Sequence, residues 1–148
     1  MDYTITELDI SNSGLTVLPD DISKYKNLLK LFCSFNRLAP LANLPSTLIE
    51  LYCSYNQLTE LENLPLALKK LDCSNNKISC LDYLPPTLEI LKCWENKITQ
   101  LDNLPPRLET LYCTFNKINT LDNLPLALKI LNCSKNNITF LDSLPPTL

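Results

Sequence analysis

Residues 49–68 read IELYCSYNQLTELENLPLAL and residues 69–88 read KKLDCSNNKISCLDYLPPTL. Laid over each other, they match at Leu51 and Leu71, Cys53 and Cys73, Asn56 and Asn76, Leu64-Pro65 and Leu84-Pro85. The frame extends outward without insertion, and six blocks of twenty run from residue 29 to residue 148. Each carries cysteine (Cys33, Cys53, Cys73, Cys93, Cys113, Cys133), with leucine two residues before it and asparagine three residues after it. A fixed period of this kind is the signature of a stacked-repeat architecture. In Leu51-Tyr52-Cys53-Ser54 apolar residues alternate, so Leu51 and Cys53 face one side and Tyr52 and Ser54 the other. One such strand cannot bury its apolar side alone. The matching strand twenty residues on, about 4.8 Å away, supplies the neighbour, and a parallel sheet results.

The repeated positions divide into three structural columns. Cysteine at the inner slot reads as a small buried hydrophobe, because metal sites show close pairs such as CxxC and the spacing here is twenty. Cys80 stands outside that column and is the thiol expected to react. Asn36, Asn56, Asn76, Asn96, Asn116 and Asn136 follow the strands, where the backbone turns inward and leaves polar groups without ladder partners. A carboxamide offers both donor and acceptor to such groups. Asn96→Ala is therefore expected to cost about 1–3 kcal/mol per stranded group. Pro45 and its equivalents to Pro145 lack an amide hydrogen, so the far side of each coil is predicted to be extended and polyproline-like, with little helix and gentle curvature. Leu58, Leu61, Leu64 and Leu68 fill the interior.

Residues 1–28 form an N-terminal capping segment and a longer first repeat. Ile5, Leu8, Ile10, Leu15 and Leu18 keep the pattern, Ser13 replaces asparagine, and Ile10 lies 23 residues before Cys33. A helical turn or two is predicted within 19–28, where acidic residues precede Ile22 and Tyr25. The chain stops at Leu148 inside a repeat with no polar cap. A fragment of a longer protein, or an end covered by another chain, is the expectation. Residues 1–148 are read as a single repeat domain.

The motif L-x-x-L-x-L-x-x-N-x-L, with cysteine in its third apolar slot (Leu48, Leu51, Cys53, Asn56, Leu58), resembles the leucine-rich repeat family along essentially the whole chain. The short period and LPxxL tail resemble the twenty-residue subclass of bacterial effectors injected into host cells. The cysteine-and-proline flavour of 84–93, LPPTLEILKC, is also similar to repeat proteins encoded by giant viruses of amoebae. The resemblance implies a protein-recognition scaffold with its parallel sheet on the concave face. In effectors, such repeats select targets for a ubiquitin ligase or scaffold a host complex.

Composition narrows the function classes. The chain has no histidine, which removes the commonest general base and metal ligand, and only one glycine, Gly14, so no phosphate-cradling loop can be written. Enzymatic activity is not expected, nor a cofactor or metal. The net charge of −3 argues against nucleic acid as the main partner. No apolar run suits a membrane span, and no signal sequence opens the chain, so a reducing intracellular compartment is expected, the host cytoplasm if the protein is viral or an effector.

Function is sought at the positions that vary. Between leucine and cysteine stand Phe32, Tyr52, Asp72, Lys92, Tyr112 and Asn132; the next outward column is Ser34, Ser54, Ser74, Trp94, Thr114 and Ser134. Just before asparagine come Phe35, Tyr55, Asn75, Glu95, Phe115 and Lys135. Phe32, Tyr52, Tyr55, Asp72, Lys92, Trp94, Tyr112 and Phe115 are the candidate contacts for a protein partner, since aromatics dominate binding hot spots. Stacking of neighbouring rings along the sheet is the structural alternative. A basic row (Arg37, Lys77, Lys97, Lys117) and an acidic row (Glu62, Asp82, Asp102, Asp122, Asp142) read as solubilising edges or as steering charges for an oppositely charged partner. Two other functions stay open: a structural protein that self-associates as a homodimer through its uncapped C-terminal edge, and a glycan or small-ligand binder using the aromatic row.

Overall fold

A computed structural model describes residues 3–141 and 144–148, so Asp142 of the acidic row falls outside the described residues. Seven three-residue strands follow one another along the chain: β1 Glu7–Asp9, β2 Lys30–Phe32, β3 Glu50–Tyr52, β4 Lys70–Asp72, β5 Ile90–Lys92, β6 Thr110–Tyr112 and β7 Ile130–Asn132. They form one parallel sheet in sequence order. Register is constant, with Leu31 opposite Leu51, Leu51 opposite Leu71 and Leu71 opposite Leu91. The longer first coil still meets the lattice, because Leu8 pairs with Leu31 across 23 residues. The extra residues are taken up by a 3-10 turn, Ile22–Lys24, and both Ile22 and the adjacent Tyr25 are buried.

The core is one column of leucines and cysteines running the length of the solenoid. Leu31, Leu51, Leu91 and Leu111 are fully buried, as are Cys33, Cys53, Cys73, Cys93 and Cys113. Leu58 and Leu68 are fully buried, and Leu61 and Leu64 nearly so, closing the interior from the far side. All seven cysteines are free thiols, and Cys80 is exposed. Desolvation pushes the Cys33 and Cys113 thiols up to about 12, and those of Cys53, Cys73 and Cys93 well above the usual thiol range.

The asparagine column binds each coil to the next. Asn116 is typical: its Nδ2 donates to the Cys93 carbonyl at 2.9 Å and the Cys113 carbonyl at 3.1 Å, and its Oδ1 accepts from the Ile98 N–H at 3.0 Å. Every cysteine carbonyl in mid-stack is shared; Cys93 O accepts from both Asn96 and Asn116. In the first coil Ser13 stands at the asparagine position, and its own N–H is taken by Asn36 Oδ1 at 3.0 Å.

Among the described residues the far side of the coils is helix-free after the first, but it is not simply extended. Each Leu-Pro step opens a four-residue turn in which the proline carbonyl accepts from the N–H three residues on: Pro45 from Leu48 at 3.2 Å, Pro85 from Leu88 at 3.1 Å, Pro125 from Leu128 at 3.0 Å. Proline has no N–H but keeps its acceptor, and the second proline of Pro85-Pro86 sits where a turn favours fixed φ. Threonine closes these turns onto the preceding coil: Thr47 Oγ1 donates to the Leu28 carbonyl at 2.7 Å and Thr87 Oγ1 to the Leu68 carbonyl at 2.8 Å.

Candidate functional site

The outward columns lie on the open face of the sheet, since strand alternation that sends Leu and Cys inward sends residues 32, 52, 72, 92 and 112 outward. Neighbouring rings on this face touch. Phe32 and Tyr52 stack at 4.8 Å between centroids and 6° between planes; Phe35 and Tyr55 stack at 4.4 Å and 10°. Trp94 meets Tyr55 edge-on at 5.9 Å, although the two belong to coils separated by a third. The indole therefore reaches back across the intervening coil, whose residue in the same column is Ser74.

Ser74 corrects an expectation. Placed in the exposed column by its spacing, it has 0% exposure, and its hydroxyl has no hydrogen-bond partner among the described residues. By contrast Ser54 Oγ donates to Ser34 Oγ at 3.0 Å, and Ser34 Oγ to the Tyr52 carbonyl at 3.2 Å. A buried hydroxyl without a partner carries a desolvation penalty. Ser74→Ala is expected to raise unfolding free energy by about 1 kcal/mol; urea titration of the two proteins checks this, and a loss of stability would mean that the hydroxyl is bonded.

Charge on the face is arranged in pairs across coils. Tyr52 OH donates to Glu50 Oε2 at 2.7 Å and Lys70 Nζ to Glu50 Oε1 at 3.1 Å. The bond from Tyr52, followed by Lys70, holds the Glu50 carboxyl below its usual range; burial, then the Glu50 bond, pushes the Tyr52 phenol up to about 12. Lys92 lies opposite Asp72 in register, but its ammonium sits 6.0 Å from the Tyr112 ring centroid, and Asp72 Oδ1 accepts the Ser74 N–H. Two shallow recesses open between these groups. One of about 230 Å³ is lined by Tyr52, Lys70, Leu71, Asp72, Ile90 and Lys92, the other of about 310 Å³ by Lys92, Trp94, Tyr112 and Thr114.

The column before asparagine has a backbone property that spacing did not reveal. Phe35, Tyr55, Asn75, Glu95, Phe115 and Lys135 all have φ between 51° and 56°, in the left-handed region. Asparagine tolerates that region; an aromatic residue there is strained. Phe35, Tyr55 and Phe115 are nevertheless exposed, at 56%, 40% and 52%.

Comparison with known proteins agrees with the geometry. The Leucine Rich Repeat family profile matches residues 67–89. YopM from Yersinia enterocolitica is 38% identical over 94% of this chain and 35% of its own, with a TM-score of 0.72. A Shigella effector leucine-rich repeat domain is 32% identical over 93% of this chain and 61% of its own, at 0.82. The chain is a leucine-rich repeat protein. Its repeats are similar to those of bacterial effectors, and it spans less than two thirds of the length of either neighbour. The functional domain of InlJ from Listeria monocytogenes, described as including a cysteine ladder, is 37% identical over 93% of this chain and 36% of its own, at 0.65. No curated protein matches the sequence.

Within this leucine-rich repeat sheet the predicted contacts fall into two groups. Phe32, Tyr52, Asp72, Lys92, Trp94 and Tyr112 lie together on the face; Tyr55 and Phe115 stand on its strand-end rim, with Tyr55 joined to the face through Trp94. A second left-handed column, Asn43, Asn63, Asn103 and Asn123, stands just before four of the Leu-Pro steps, with Tyr83 before Leu84-Pro85 outside that region; it escaped the sequence reading. Its signal was the recurring Asn-Leu-Pro, because asparagine is the side-chain residue that enters this region most readily. Leucine-rich repeat solenoids are protein-interaction scaffolds and typically not enzymes.

Proposed function

We propose that the open sheet face binds a segment of another protein, with Tyr52, Trp94 and Tyr112 as its anchors and Asp72 and Lys92 setting polarity between them. The observation that carries this reading is the pair of recesses on the open face, lined by Tyr52, Asp72, Lys92, Trp94 and Tyr112 and flanked at the rim by the strained aromatic column. At that position Asn75 satisfies the backbone at little cost, yet Phe35, Tyr55 and Phe115 hold left-handed φ with large exposed rings. The left-handed φ is common to the whole column, Glu95 and Lys135 included; particular to Phe35, Tyr55 and Phe115 is a large exposed ring held there, and strain at exposed residues is a recurrent mark of functional surfaces. The interior and turn positions, in contrast, are each accounted for by packing or hydrogen bonding.

The similarity to effector repeats supports a target-selecting role inside a larger protein, in which the repeats choose what a linked ligase-like activity acts on. An intracellular, reducing setting fits a protein with free thiols in its core. The test is a displayed random-peptide library selected on the protein. Peptides bound by the face are expected to lose about 100-fold or more in affinity when Tyr52, Trp94 and Tyr112 are changed to alanine together, each ring being a hot spot of about 2 kcal/mol before non-additivity. The fall in melting temperature should be limited to the loss of the Phe32–Tyr52 stack, the Tyr52–Glu50 bond and the Trp94–Tyr55 contact, because all three rings lie outside the core. Selected peptides that bind the triple variant undiminished would place recognition elsewhere.

A further inference from the structure

The charges of the solenoid are sorted by side. All four ion pairs among the described residues lie where the strands begin: Lys30 with Glu7, Lys70 with Glu50, Lys69 with Glu89 and Lys129 with Glu109, at 2.9 to 3.1 Å. Where the strands end, the pattern differs. Arg37, Lys77, Lys97 and Lys117, each the residue after an asparagine, are exposed, and none makes an ion pair among the described residues. Lys77 has only a 3.5 Å contact to Gln57 Oε1. Lys77, Lys97 and Lys117 occupy three successive coils, so their backbones recur near the sheet spacing of about 4.8 Å and their like charges repel. Glu95, the acid of the neighbouring left-handed column, is already held by Asn75 Nδ2.

Two independent features thus share one rim: unneutralised cations, and the exposed rings of Phe35, Tyr55 and Phe115 two residues before Arg37, Gln57 and Lys117. We infer that this strand-end rim receives an acidic polypeptide segment with interspersed apolar residues. Its carboxylates lie along Arg37, Lys77, Lys97 and Lys117, and its apolar side chains rest on Phe35, Tyr55 and Phe115. The inference rests on the reading of the face as a protein-binding surface and names the chemistry of the partner. A nucleic acid fits less well, because the row is broken at Gln57, carries Glu95 beside it and belongs to a chain of net charge −3.

The experiment is the library selection repeated at low ionic strength on the wild type and on a variant with Arg37, Lys77, Lys97 and Lys117 changed to glutamate. All four side chains are exposed, so both proteins are expected to fold; a four-glutamine variant gives the neutral reference. Wild-type binders should be rich in aspartate and glutamate between apolar residues, and should bind the glutamate variant about tenfold or more weakly, the gap shrinking as salt is added. The glutamate variant should in turn select basic peptides. Binders that need Tyr52, Trp94 and Tyr112 but show neither acidic enrichment nor sensitivity to the rim variant would overturn this inference while leaving the face as the site of recognition. Absence of any binder sensitive to the triple alanine variant would overturn both. Binding of single-stranded oligodeoxythymidylate without binding of acidic peptides would make the rim a nucleic-acid surface and likewise end the proposal.

Discussion

Asn96→Ala and Asn116→Ala, each made alone, should lower the unfolding free energy by about 2–4 kcal/mol, and the double variant should lose more than the sum of the two by about 1–2 kcal/mol. The reason lies in how the carboxamides are shared. Removing Asn116 leaves the Ile98 N–H with no acceptor, since Asn116 Oδ1 is its partner at 3.0 Å. A buried orphan donor costs about 1–3 kcal/mol. The carbonyls fare better. Cys93 O keeps Asn96 at 3.1 Å, and Cys113 O keeps Asn136 at 2.9 Å, so each loses one of two donors. The double variant removes both donors from Cys93 O and leaves it bare inside the stack. Urea denaturation of the wild type, both single variants and the double variant gives the coupling directly. Strict additivity would show that the two asparagines act independently and that the ladder is not cooperative.

Thiol labelling should divide the seven cysteines by a still larger factor. At neutral pH in native conditions, Cys80 is expected to react readily and Cys133, only half-buried, more slowly. Cys33, Cys53, Cys73, Cys93 and Cys113 should react at least about 10³-fold more slowly than in denaturant, because they become available only when the stack opens. The thiolate is the nucleophile, and a thiol at about 12, as for Cys33 and Cys113, is ionised at neutral pH to about one part in 10⁵. Burial adds a steric barrier to this chemical one. Mass spectrometry of peptides after timed alkylation reads both classes at once. If Cys53 or Cys93 were modified as fast as Cys80, the interior would be opening far more often than its packing implies.

The fold could be read almost completely because its determinants are periodic. Leu51, Cys53, Asn56 and Leu58 each do the same physical task as their equivalents twenty residues away, so position in the repeat specifies environment. What escaped was set by single side chains that reach beyond their own coil. Ser74 holds the same repeat position as Ser54 but is fully buried, and it lies in the coil that the Trp94 indole crosses to reach Tyr55. Proline forbids helix and central strand and so predicts an extended segment at each Leu-Pro, yet its carbonyl remains free to close a turn on the residue three places on. The ion pairs lie in two adjacent columns, Glu7 with Lys30 and Glu50 with Lys70 in one and Lys69 with Glu89 and Glu109 with Lys129 in the other, neither of which belongs to the charge rows read from the sequence. Stacking of Phe32 on Tyr52 and of Phe35 on Tyr55 was foreseen as an alternative to binding, but the left-handed backbone beneath Phe35 and Tyr55 was not, since nothing in an aromatic residue type announces positive φ.

Invariant coil length carries a hereditary consequence. From Lys30 onward every coil meets its neighbours through one offset of twenty, so excising residues 69–88 would return an unbroken lattice with Tyr52 beside Lys92. Recombination between such tracts would shorten or lengthen the array by whole units without misfolding it, and each event would deal the outward-facing residues into a new order. Diversification by copy number, rather than by one substitution at a time, is thus written into the geometry.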